Sequence, residues 1–283
     1  MKLLKGTIAV LVMCGMFAQS WQSRAQEPPA ENAVVQARIV LTVSEGKRLI
    51  AKAVAQMPVV RRALEKGTLI VTKGTTNTYV AEEITGETIP HGAYVYGRTY
   101  PSKDGEQLPE VGSIGEIVYI KGKRRTDLSL AEAAAELEAG DVVIKGGNAL
   151  DYAGKTAGVY IGSGTGGTTG TIMPYVVARK AHLIIPIGLE KKCILPVMDI
   201  QHLLREPVEN LNVIPSMFLL SGTIVTEIEA FEILAGVSAF QVGAGGIGGA
   251  EGAVHLLVRG SREQVQEALR IAASVHGEPA FVQ

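Results

Sequence analysis

The stretch EKGTLIVTKGTTNTYVAE, residues 66–83, decides how this chain is read. Residues 68–72 are a β-branched, apolar run of strand length. Lys73, Gly74, Thr75, Thr76 and Asn77 follow as a glycine-and-hydroxyl turn that opens a helix over about 76–84. A helix start presents unpaired backbone N–H groups and the positive end of the helix dipole, which suits an anion. Gly74 lets the backbone approach a ligand, and Thr75, Thr76 and Asn77 add donors. Taken alone, the stretch reads as an ordinary capped strand-to-helix turn. Its neighbours point to more.

Working outward, residues 34–43 read as a strand, with Ser44 capping a helix to about 56. Pro58 opens a second helix, 58–65, closed by Gly67. Residues 86–115 read as a hairpin or an excursion over the sheet edge. Strands are expected at 116–121, 141–145, 157–161 and 182–187, and helices at 128–138 and about 171–181. This alternation predicts an α/β fold built on a mainly parallel sheet with helices on both faces. The core domain would span 34–212. Residues 213–283 read as a small α+β subdomain: a helix at about 226–234, strands at 239–242 and 253–259, and a helix over 262–275. Ser261 and Gln264 form a capping-box pair for that last helix.

The chain has 283 residues, 47% of them hydrophobic, enough for a large core. Thirty-three glycines against five Phe and one Trp fit many tight strand-to-helix turns. A formal net charge of −1 gives no basic footprint for nucleic acid. At the N-terminus, Lys2 and Lys5 precede an apolar run, residues 6–18, and Ser23-Arg24-Ala25 supplies small residues for a signal peptidase. Cleavage after Ala25 is expected, leaving a linker at 26–33 and a periplasmic or secreted protein that meets the membrane only during export. Loss of Lys2, Lys5 and Arg24 takes the formal charge from −1 to −4. Lipidation at Cys14 and an uncleaved anchor are the alternatives. Cys193 would then be the only thiol, so no intrachain disulfide forms.

Three glycine-rich turns follow strands, at 73–77, 145–148 and 162–170. In a parallel sheet such turns share the carboxyl edge, where ligands bind. None matches a dinucleotide fingerprint or a P-loop, and no G-x-S-x-G is present. His91, His182, His202, His255 and His276 are scattered without ligand spacing, so neither a metal nor a cofactor is expected. Lys73 and Lys145 each stand at a strand end before a glycine, and two ammonium groups there would clamp a phosphate or carboxylate. Asp151, close to Asn148, is either a general base or an Asx-turn residue. The run 242–252 is a hairpin connection or a lid.

With these turns in order, residues 48–195 resemble the superfamily of ribose-5-phosphate isomerases, glucosamine-6-phosphate deaminases and CoA transferases. Gly74-Thr75-Thr76-Asn77-Thr78 is similar to the isomerases' phosphate-cradling Gly-Thr-Gly-Ser-Thr turn. VVIKGGNAL, 142–150, resembles their Ile-Lys-Gly-Gly-Gly stretch, and HLIIPIGLEK, ending at Lys191, resembles their strand ending in Ser-Lys. The lactate-utilisation branch offers a similar order in Asn148-Ala149, Gly164-Thr165-Gly166 and Gly188 to Lys191. The isomerases' acidic segment has no counterpart before Lys145, and Thr76 replaces their second glycine.

The resemblance implies a small phosphorylated or carboxylated metabolite at the three turns, and isomerisation or transfer if the protein is an enzyme. Lys73 and the amides of Gly74, Thr75, Thr76 and Asn77 would hold one side. Lys145, Gly146, Gly147 and Asn148, with Gly164, Thr165, Gly166 and Lys191, would close the other. Asp151 or Glu83 would be the base by elimination. The rival is a non-catalytic periplasmic ligand-binding or assembly protein that keeps the fold without the chemistry. No nucleic-acid partner is expected, and a homo-oligomer is compatible with either reading.

Overall fold

The computed structural model describes residues 34–97 and 112–281. The expected signal peptide, the linker at 26–33 and the middle of the 86–115 excursion lie outside them. Strand β1 (Val35–Leu41) leads into helix α1 (Val43–Gln56), then α2 (Pro58–Lys66), β2 (Thr68–Val71) and α3 (Thr75–Thr85). Beyond residue 112 come β3 (Ile117–Ile120), the short β4 (Lys123–Arg124), α4 (Leu130–Ala135) and β5 (Val142–Ile144). A hairpin, β6 (Ala149–Asp151) and β7 (Thr156–Ile161), precedes α5 (Gly167–Arg179) and β8 (His182–Pro186). A 3₁₀ turn (Leu189–Lys191), α6 (Val197–Leu203), β9 (Ser216–Ser221), β10 (Thr223–Val225) and α7 (Glu227–Ala235) follow. Strands β11 (Ser238–Ala244) and β12 (Val254–Gly260) and helix α8 (Arg262–Val275) complete the described chain.

The fold is α/β on a six-stranded mixed sheet of order β10-β8-β5-β2-β3-β4. Strands β10, β8, β5 and β2 run parallel, whereas β3 pairs antiparallel to β2 and β4 antiparallel to β3. Strand β2 has all four residues buried, as does β5 with its three valine and isoleucine residues. Continuous apolar runs of this kind belong to strands covered on both faces. Asp141 fastens their amino ends: its Oδ1 accepts from Thr68 N–H and its Oδ2 from Glu138 N–H, both at 2.8 Å.

Two smaller antiparallel sheets, β1-β12-β11 and β6-β7-β9, complete the strand set. The expected 157–161 strand therefore belongs to the second of these, outside the main sheet. Residues 213–283 supply strands to all three sheets: β9 pairs with β7, β10 with β8, and β12 with the N-terminal β1. The long-range β1–β12 pairing ties the chain's two ends, and Val34–Gln283 forms one contact unit. Residues 242–252 connect β11 to β12 as a hairpin, with Gly245 N–H donating to Ala253 at 2.7 Å.

Side-chain capping explains four of the eight described α-helix starts. Thr42, not the expected Ser44, caps α1, in a box with Glu45 whose carboxylate accepts from Thr42 N–H at 2.8 Å. Thr226 with Glu229 and Ser261 with Gln264 repeat the device at α7 and α8. Helix α2 starts on Pro58 instead. Helices α3 and α5 have glycine at the N-cap position and no side-chain cap.

Candidate functional site

The carboxyl ends of three adjacent parallel strands each lead to a lysine: Lys73 after β2, Lys145 after β5 and Lys191 after β8. All three line one cavity of about 760 Å³. Gly74, Thr75, Thr76 and Asn77, the first turn of α3, line it too. So do Gly146, Gly147 and Asn148 after β5, and Gly166 to Thr169 at the start of α5. Two helices of 11 and 13 residues thus begin on one cavity with uncapped first-turn amides. Gly166 and Gly167 take positive φ angles of 82° and 55°, turning the chain from β7 into α5. That turn brings α5 to the site although β7 is outside the parallel sheet.

The described lining contains three lysines and no carboxylate. The Lys73 ammonium donates to the Tyr96 hydroxyl at 3.1 Å and to Ser113 Oγ at 3.0 Å, and lies 4.3 Å from the Tyr96 ring centroid. Lys145 is 9% exposed, and among the described residues its Nζ donates only to Gly146 O, at 3.1 Å. Burial, followed by the nearby charge of Lys191, pushes its pKa down to about 8. The Lys191 Nζ donates to Gly147 O at 2.9 Å, and burial lowers its pKa as well.

Two polar atoms without partners among the described residues belong to residues that line the same cavity. Asn77 is 1% exposed; its Nδ2 donates to Thr72 O at 2.8 Å, while its Oδ1 has no partner among the described residues. Thr76 Oγ1 is likewise buried and unpartnered. A buried polar atom left unpaired costs about 1–3 kcal/mol, so both atoms stand open to a hydrogen bond from a further group.

The glycines separate by role. A Cβ on Gly74 would meet no protein atom closer than 3.8 Å. On Gly147 it would lie 3.1 Å from both Gly158 O and Ile187 Cδ1, so this glycine lets the turn pack on β7.

Comparison with protein-family profiles, curated proteins and solved structures finds no match.

Some expected residues fall elsewhere. Gly164 and Thr165 are outside the lining, in the exposed part of the turn, where Ser163 Oγ and Thr165 Oγ1 lie 3.2 Å apart. Asp151 accepts from Gly154 N–H at 2.7 Å and closes the β6–β7 hairpin, so its Asx-turn role is the one observed. Glu83 pairs with Arg48 at 3.2 Å and Lys52 at 3.3 Å, on the side of α3 that meets α1. Neither carboxylate lines the cavity.

Sequence reading also missed the buried charges behind Lys191. Glu227 is 1% exposed at the start of α7, and its Oε2 accepts from Leu189 N–H at 2.9 Å. Burial first, then the charge of Glu190, raises its pKa to about 8. Lys47 of α1 joins this group; burial and then the charge of Lys191 lower its pKa. Only the pairing of distant segments assembles the group, so the sequence carried no local signal for it. Among the described residues no metal-binding cluster of His, Cys, Asp or Glu occurs.

Proposed function

We propose that the protein binds a small anionic metabolite, phosphorylated or carboxylated, in the cavity at the carboxyl edge of β2, β5 and β8. One observation carries this reading: three lysines and two uncapped helix starts line a single cavity whose described lining has no carboxylate. Each helix start contributes about half a positive charge through its amides, and the lysines add point charges with donors. Anion binding offsets their mutual repulsion. The parallel arrangement of β10, β8, β5 and β2, with a lysine-glycine pair closing β5, supports descent from the isomerase and CoA-transferase superfamily, helices on both faces included. Export after Ala25 remains part of the proposal, and N-terminal sequencing of cell-envelope material tests it.

Thermal shifts against inorganic phosphate, sugar phosphates and small carboxylates test the binding. At a ligand concentration 100 times Kd the expected stabilisation is about 2.7 kcal/mol. No shift with any anion, or an unchanged shift in Lys73→Ala and Lys191→Ala, would sink the reading. The described lining contains neither carboxylate nor histidine, and this favours the non-catalytic alternative, a periplasmic ligand-binding protein, over an isomerase. A turnover screen on the same panel separates the two.

A further inference from the structure

We infer that the Lys145 amine is a covalent carbonyl trap, taking an anionic aldehyde or ketone as a Schiff base. This deepens the anion-binding reading and rests on it. Lys145 stands directly after β5, buried between the turns that begin α3 and α5. Its ammonium is in no ion pair among the described residues, and its one hydrogen bond is to the adjoining Gly146 carbonyl. An anion held on the helix starts therefore lies within the same cavity as a nitrogen that no carboxylate occupies.

A lysine becomes nucleophilic when it is desolvated or placed beside a second cation, and both conditions hold here. Lys191, hydrogen-bonded to the next residue of the same turn, supplies that cation. The pKa near 8 leaves a substantial neutral fraction at neutral to mildly alkaline pH. The neutral Nζ adds to the carbonyl carbon and forms a C–N bond. The carbonyl oxygen collects two protons, those given up as nitrogen passes from ammonium to iminium, and leaves as water. Overall, ammonium plus carbonyl gives iminium plus water, with no oxidant or other reactant consumed. Asn77 Oδ1 and Thr76 Oγ1, both buried and without partners among the described residues, offer acceptors for a hydroxyl on the bound molecule.

The test traps the imine by reduction. The full chain is incubated with dihydroxyacetone phosphate or pyruvate and sodium borohydride, then digested and mapped by mass spectrometry. The expected product is one adduct per chain on the Lys145 peptide, suppressed by excess inorganic phosphate. Trapping by the native protein should reach half its maximum near pH 8, whereas ordinary lysines titrate near 10.4. Lys145→Arg should abolish the adduct and reduce the thermal shift with phosphate. Phosphate stabilisation without any adduct would overturn the covalent step and leave anion binding intact. Adducts scattered over exposed lysines, or a half-maximum near pH 10, would also overturn it. Absence of both stabilisation and adduct would remove both readings together.

Discussion

Lys191 donates its ammonium to the carbonyl oxygen of Gly147 at 2.9 Å, joining the 3₁₀ turn beyond β8 to the turn that follows β5. The bond holds two walls of the cavity in register and directs a cation at the place where an anion would sit. Hydrogen bonds to charged groups contribute about 1.5–3 kcal/mol. Lys191→Met should therefore weaken phosphate binding by roughly 10- to 100-fold. Calorimetric titration of variant and native protein checks it, and equal affinities would deny Lys191 a role.

Gly147 and Gly164 should respond differently to alanine. A Cβ at Gly147 meets Gly158 O and Ile187 Cδ1 at 3.1 Å and Ala157 Cβ at 3.3 Å, an overpacked position. The expected loss is about 1–3 kcal/mol. At Gly164 nothing lies within 4 Å, so the same change should leave the urea midpoint unaltered. Equal midpoints for the two variants would contradict the packing described for the turn.

Lys145→Met should trade function for stability. A base whose pKa falls on folding contributes stability fully only above its ordinary 10.5, and that stability is lost as pH falls through about 8. At pH 7 the native protein therefore carries the cost of a buried charge, and methionine removes it for a gain on the order of 2 kcal/mol. The gain should vanish near pH 10.5, and phosphate binding should weaken at least tenfold. Denaturation at both pH values, with parallel titrations, reads both effects.

Glu227 titrates with the opposite sign. An acid whose pKa is raised on folding stabilises the fold fully below its ordinary 4.5, and the contribution is lost as pH rises through about 8. Glu227→Gln keeps an acceptor for Leu189 N–H and has no charge to bury. Its stability should match the native protein's at pH 4.5 and exceed it by a few kcal/mol at most at pH 8. Lys47, Glu190 and Lys191 face the same group and temper the size of the effect. Curves that stay parallel from pH 4.5 to 8 would count against a buried, protonated Glu227.

Arg48 fastens α1 to α3 and to the chain end. It contacts Glu82 at 2.7 Å, Glu83 at 3.2 Å and Glu278 at 3.0 Å, and its guanidinium lies 4.5 Å from the Tyr79 ring centroid. Arg48→Ala leaves Glu82 and Glu278 without this cation, Glu83 keeping Lys52, and a loss of roughly 2–4 kcal/mol is expected. Thermal denaturation at low and high salt checks this. A loss near zero would mean that the cluster is solvent-screened.

The sequence by itself determined the local elements, among them two of the turns that line the candidate cavity. The apolar run at 68–72 appears as buried β2, Pro58 opens α2, and Ser261 with Gln264 caps α8, because these signals act within a few residues. The same holds for the turns at 73–77 and 145–148, where a lysine-glycine pair after an apolar run marks a strand end. What only the tertiary structure decided is pairing. Strand β7 left the main sheet for β6 and β9, β3 joined β2 antiparallel, and β1 met β12 across almost the whole chain. An apolar alternating strand is compatible with several neighbours and either direction, and its partner is chosen by what else the fold must bury. For the same reason Asp151 and Glu83 suited a base on paper yet fold into a hairpin turn and an ion cluster. Glu227, which no local pattern singles out, lies behind Lys191 because α7 docks there.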